Sequence, residues 1–234
     1  MRAYHVAALT ALLFWQIAPA PARDARPRGG PFRLALAYAT GQWEDASFNC
    51  DGDFTGSDAV PAGSGGVKFE YLASDGAVRL TAVAGRWWMH NSSVTTTFSA
   101  AQVAFEGPRV GFGLGLVNHP FIDNSSRQTL PNAFLRLGKA DGHFLVEANP
   151  PTETPATTGT VRAGIGFGTG LERRPSGFIG VAFGPFTERL QQAVAVADLG
   201  IPLSRNLDLL LRGGAGPGMG KPQWAAGAGL RAVW

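Results

Sequence analysis

The chain has 234 residues, with 20 lysines and arginines against 17 acids, a formal charge of +3, and a single cysteine, Cys50. A balance so close to neutral gives no basis for nucleic acid as a partner, and one cysteine excludes a disulfide framework. The 32 glycines, together with the lack of any long amphipathic helical pattern, point to one all-β domain.

Residues 1–22 read as an export signal. One arginine precedes an apolar run from Val6 to Ala18, and Ala20-Pro21-Ala22 has the small-x-small form that a signal peptidase cuts. Cleavage after Ala22 would leave residues 23–234 as the mature domain, with 19 cations against 17 acids. No stretch reaches the roughly 18 uninterrupted apolar residues of a membrane helix. Cys50 lies far from the cleavage point, so no amino-terminal lipid anchor is expected.

From there, strand-like segments of about 8 to 12 residues recur to the end of the chain, most of them with alternating apolar and small or polar positions. In order they are Phe32–Ala39, Val67–Ala73, Ala77–Trp87, Val94–Phe105, Arg109–Val117, Ala133–Lys139, His143–Ala148, Val161–Thr169, Gly177–Phe183, Gln192–Leu199, Leu207–Gly213 and Gln223–Trp234. Val94–Phe105 and Gln192–Leu199 alternate poorly. Discounting both leaves ten strands, and eight would require merging several more.

The connections alternate between two kinds. Ser74–Gly76, Glu106–Arg109, Ala140–Gly142, Leu171–Pro175 and Ile201–Asn206 have the Gly, Pro, Asn or Asp of tight turns. Thr40–Gly66, Trp88–Ser93, Asn118–Asn132, Asn149–Thr160, Gly184–Gln191 and Gly214–Pro222 are mostly longer or more irregular.

In the last segment Trp224, Ala226, Ala228, Leu230, Ala232 and Trp234 share one face, with glycines and Arg231 on the other. The spacing of Gly229, Ala232 and Trp234 resembles the carboxy-terminal assembly signal of bacterial outer-membrane β-barrels, although members of that family usually carry a bulkier residue than Ala232. With the export signal and the alternating connections, the mature chain resembles a small OmpA-type or porin-like barrel. The resemblance implies an antiparallel transmembrane β-barrel, twelve-stranded and monomeric, without cofactor or metal. Its partners would be outer-membrane lipid and the barrel assembly machinery, with short turns in the periplasm and long loops outside. Trp43, Trp87, Trp88 and Trp224 would then mark the outer rim, and Phe105 and Trp234 the inner one.

In that frame Phe32/Leu34/Leu36/Tyr38, Val110/Phe112/Leu114/Leu116 and Leu207/Leu209/Leu211 face lipid. Arg33, Lys68, Arg79, Arg136, Arg162, Arg212 and Arg231 point inward, against Glu70, Glu147 and Asp208, which makes a basic lumen. Three functions fit. The first is a structural or surface-interaction role, with lumen charges paired inside a plugged barrel and the loops 40–66 and 149–160 offered to an extracellular ligand. The second is a small anion-preferring channel for acidic solutes, since guanidinium groups offer paired donors to carboxylate or phosphate. Twelve-stranded porins for acidic oligosaccharides are similar in size and basic lining.

The third is a barrel-based hydrolase. Asp51/Asp53 and Asp141/His143 loosely resemble the Asp-Asp and Asp-His pairs of omptin proteases, and His90/Ser93 the histidine and serine of outer-membrane phospholipase. The first two pairs fall on opposite rims and cannot share one water, and Asp-Gly is a common turn signal. No enzyme is therefore expected.

Overall fold

The computed structural model describes residues 30–48, 54–73, 77–89, 95–120, 127–153, 161–168, 170, 174–183, 193–217 and 222–234. The expected export signal at 1–22, Cys50, Asp51/Asp53, His90/Ser93 and residues 154–160 lie outside these residues.

Twelve strands form one closed antiparallel barrel. They are β1 Phe32–Phe48, β2 Phe54–Ala73, β3 Val78–Met89, β4 Thr95–Glu106, β5 Val110–Pro120, β6 Arg127–Lys139, β7 Gly142–Ala148, β8 Val161–Phe167, β9 Ser176–Phe183, β10 Ala193–Pro202, β11 Leu207–Gly216 and β12 Gln223–Val233. Each pairs with its sequence neighbours, and β12 pairs with β1 from Arg33↔Val233 to Gln42↔Trp224, so the sheet has no open edge along its body.

The alternation read from the sequence is the alternation of the wall. Leu36, Phe69, Phe112, Leu114, Ile165 and Leu230 are exposed on the outside, whereas the buried apolar residues, among them Val83, Phe98, Phe134 and Phe178, point in. β4, whose hydropathy alternates poorly, alternates strictly in burial. Its outward positions include Thr95, Thr97, Ser99 and Ala101, residues too small or polar to register as an apolar face.

Two expectations are corrected. Most of the predicted loop 40–66 is strand. β1 and β2 stay paired through Asp45↔Asp58 to Phe48↔Phe54, with an irregularity at Ser47/Phe48. Their other neighbours stop sooner, β12 at Gln42↔Trp224 and β3 at Ala62↔Met89, so the top of this hairpin stands alone above the rim. β7 and β8 lie on the opposite side of the ring and have seven residues each. One wall is tall and the facing wall is low.

The second correction is Trp87, which is 7 % exposed and lies on the inward face of β3. Trp88, next along, faces out and packs on Tyr38 with ring centroids 5.7 Å apart. Trp224 is exposed as expected, and the side chain of Trp43 lies outside the described residues. At the tight-turn rim Phe105 stacks on Phe112 at 5.1 Å, and Trp234 on Phe32 at 6.3 Å.

Candidate functional site

Strand alternation aims every predicted lumen residue inward, and the structure joins most of them into one chain of ion pairs. At one end Arg162 on β8 donates Nε to Glu147 on β7 and Nη1 to Asp198 on β10 at 2.6 Å. Asp198 also accepts from Arg212 Nε on β11 at 2.8 Å. Arg212 Nη1 reaches Glu153 at 3.3 Å, and Glu153 lies 3.4 Å from the Lys68 ammonium on β2.

Lys68 continues to Glu70 at 3.7 Å, and Glu70 to Arg79 on β3 at 3.8 Å. Arg79 then meets Glu106 on β4 at 3.0 Å, and Glu106 meets Arg136 on β6 at 3.2 Å. Arg136 ends the chain by donating to the carbonyls of Gly138 at 2.8 Å and Gly107 at 2.6 Å. Gly138, at φ 119, holds the β6–β7 bend that brings its carbonyl there, a conformation L side chains rarely adopt.

Arg231 and Asp208 also pair, at 2.8 Å. Arg33, 2 % exposed, lies in the field of Glu70 and Asp208 but also of Arg231 and Arg79, and its Nε has no hydrogen-bond partner. Two arginines are further covered by rings: Arg162 sits 4.9 Å from the Phe178 centroid and Arg79 5.6 Å from Phe134.

Three carboxylates in this network are absent from the sequence expectation, namely Glu106, Glu153 and Asp198. With them the described lumen holds seven cations against six carboxylates, so the reading of a basic lumen is corrected to a nearly neutral, internally paired one. Asp198 and Glu106 carried a usable signal. Each falls in phase with inward positions of its strand, Val196 and Gly200 for the first, Gln102 and Ala104 for the second. Glu153 carried none, because its position depends on how a loop folds.

That loop turns inward. Asn149 takes a positive φ of 47 and donates its side-chain amide to the Pro131 carbonyl at 2.8 Å, which bends the chain into the barrel directly after β7. Pro150, Pro151 and Thr152 then line the lumen, and Glu153 arrives 1 % exposed between β2 and β11, on the far wall. The segment 149–153 is therefore a strut across the lumen, and the expectation that this part of the loop offers an outer contact surface is corrected. Burial by itself would raise the Glu153 carboxyl, but Lys68 and Arg212 outweigh it and hold the group below the usual carboxylate range.

A cavity of about 230 Å³ is bounded by the strut and by Glu70, Arg79, Arg162 and Arg212. Asn132, fully buried, accepts from Gln102 at 3.1 Å and donates to the Ala101 carbonyl at 3.3 Å.

Of the hydrolase candidates, Asp141 and His143 lie among the described residues, and they are not brought together. Asp141 stays in the exposed turn and pairs with Arg174, while His143 is 8 % exposed inside the barrel with Nδ1 unpartnered. No group of three His, Cys, Asp or Glu suited to a metal ion occurs among the described residues. The predicted assembly residues lie at the seam. Ala232 pairs with Leu34 on one side and Leu207 on the other, Gly229 with Ala37 and Leu210, and Trp234 exchanges backbone hydrogen bonds with Phe32 at 3.0 and 3.1 Å.

No known family profile matches the chain, and no curated protein does. Among solved structures it is similar to the N-terminal β-barrel domain of Pseudomonas aeruginosa OprF, at 12 % identity over 88 % of this chain and 98 % of that one, with a TM-score of 0.27.

Proposed function

We propose that the protein is an integral outer-membrane barrel, monomeric and electrically closed, serving a structural or surface-presenting role. The observation that carries this reading is the inversion of the wall. Large apolar side chains such as Leu114, at 68 %, and Ile165, at 66 %, stand exposed on the outside, while ten strand charges from Arg33 to Arg231, together with Glu106 and Asp198, turn inward. In water such an exterior would aggregate; in hydrocarbon it is the stable arrangement, because a closed ring satisfies its own backbone hydrogen bonds.

The tight-turn rim then faces the periplasm and the long connections face outward, with the β1–β2 hairpin as the tallest feature presented. The strut and the paired charges support a closed lumen over an anion channel. A selectivity filter needs uncompensated cations, and here six carboxylates are interleaved among seven.

The test is to refold residues 23–234 into lipid vesicles, follow insertion by protease protection and by gel mobility with and without heating, and record current in a planar bilayer. Insertion without conductance steps is expected. Stable anion-preferring steps would favour the channel, and failure to insert would overturn the membrane reading itself.

A further inference from the structure

Away from the tight-turn rim, Arg86 is a charged side chain on the outer face of the strands, and it is exposed. On β3 the outward positions run Leu80, Ala82, Ala84, Arg86 and Trp88, so the guanidinium lies between an apolar stretch and the Trp88–Tyr38 pair at the long-loop end. An arginine held against hydrocarbon is unfavourable, whereas at headgroup depth it meets anions.

Among the described residues the wall beside it parts. β4 stays paired with β3 as far as Trp88↔Thr95, but its pairing with β5 ends at Ser99↔Asn118. β5 meanwhile continues alongside β6 to Pro120↔Arg127. The ladder forks at this point, and a groove of about 420 Å³ lies in the fork, lined by Arg86, Thr97, Ser99 and Asn118, with buried Phe98 closing it toward the lumen.

We infer that this groove binds a phosphate of an outer-leaflet glycolipid. Arg86 supplies a planar fork of donors, and Thr97, Ser99 and Asn118 add neutral hydrogen-bonding groups. The lipid is favoured over a free anion because the groove opens on the apolar outer wall, where acyl chains can lie along Ala82 and Leu80. The inference rests on the outer-membrane reading.

The wild type, Arg86→Ala, Arg86→Lys and Asn118→Leu are refolded in parallel, and insertion of each is scored first by protease protection, so a failed membrane reading shows before any lipid is added. Native mass spectrometry then measures retention of diphosphorylated lipid A and of its fully dephosphorylated form. The wild type should hold the phosphorylated form about tenfold more tightly, Arg86→Ala should lose that preference, and the Lys and Leu variants should fall between. Inserted protein that retains both lipids equally, or an unchanged preference in Arg86→Ala, overturns the site. Displacement of lipid A by millimolar inorganic phosphate overturns the choice of lipid over free anion.

Discussion

The carboxylate of Glu153 lies 3.4 Å from the Lys68 ammonium, on the wall opposite the strand that the chain has just left. A loop residue thereby ties the middle of the lumen together, and its charge is what holds it there. Because the folded carboxyl sits below its ordinary range, Glu153 contributes stability that is present above the unfolded value and lost as pH falls through the folded one. The expected outcome is that Glu153→Gln lowers the urea midpoint at pH 7, and that the difference from wild type shrinks steadily on acidification. A gap that stays constant down to low pH would show that the pairing is not electrostatic.

Arg162 is held on three sides, by Glu147, Asp198 and the Phe178 ring. Removing it leaves two half-buried carboxylates without their shared partner. Arg162→Ala should cost about 3–5 kcal/mol, whereas Asp198→Asn in the Arg162→Ala background should cost less than it does alone. Equilibrium unfolding of the two single variants and the double variant measures both effects; additive losses would deny the coupling.

Leu114→Arg is diagnostic of the outer solvent. At an exposed position of a protein in water the change would fall within about 0.5 kcal/mol. Facing hydrocarbon near mid-barrel it should cost about 2–4 kcal/mol, read from the fraction folded in vesicles over a urea series.

Closure of the ring can be tested chemically. Leu36 and Leu230 pair directly across β1 and β12, within the separation a disulfide spans. In a Cys50→Ser background, cysteines at both positions should cross-link on mild oxidation and produce a mobility shift that dithiothreitol reverses. Moving one cysteine to Ala228 should sharply reduce the yield, because the register would then be wrong.

Much of this architecture is legible in the sequence because a barrel wall obeys a local rule: residues two apart share a face, and Phe112, Leu114 and Leu116 declare theirs unaided. The same rule underlies the inward set from Arg33 to Arg231. It fails where hydropathy is silent, as in β4 with its outward threonines, or where length misleads, as at 40–66, whose glycines and acids resemble a loop yet continue two strands. It also cannot reach Glu153, whose position follows from one bend at Asn149 and a partner on the opposite wall. The count of lumen carboxylates, on which the proposal of a closed barrel rests, depends on that residue and on Asp198 and Glu106.

The seam between β1 and β12 sets the order of assembly. Every other strand pair is a hairpin joining near neighbours in the chain, while Arg33 and Val233 are two hundred positions apart. By the logarithmic growth of loop-closure entropy, joining them from a disordered chain is about 3 kcal/mol less favourable than closing a ten-residue turn. Adjacent hairpins therefore form first and the seam closes last. Until then both edge strands stand bare, which makes the half-built sheet the most aggregation-prone species on the pathway and the stage at which help from outside the chain would matter most.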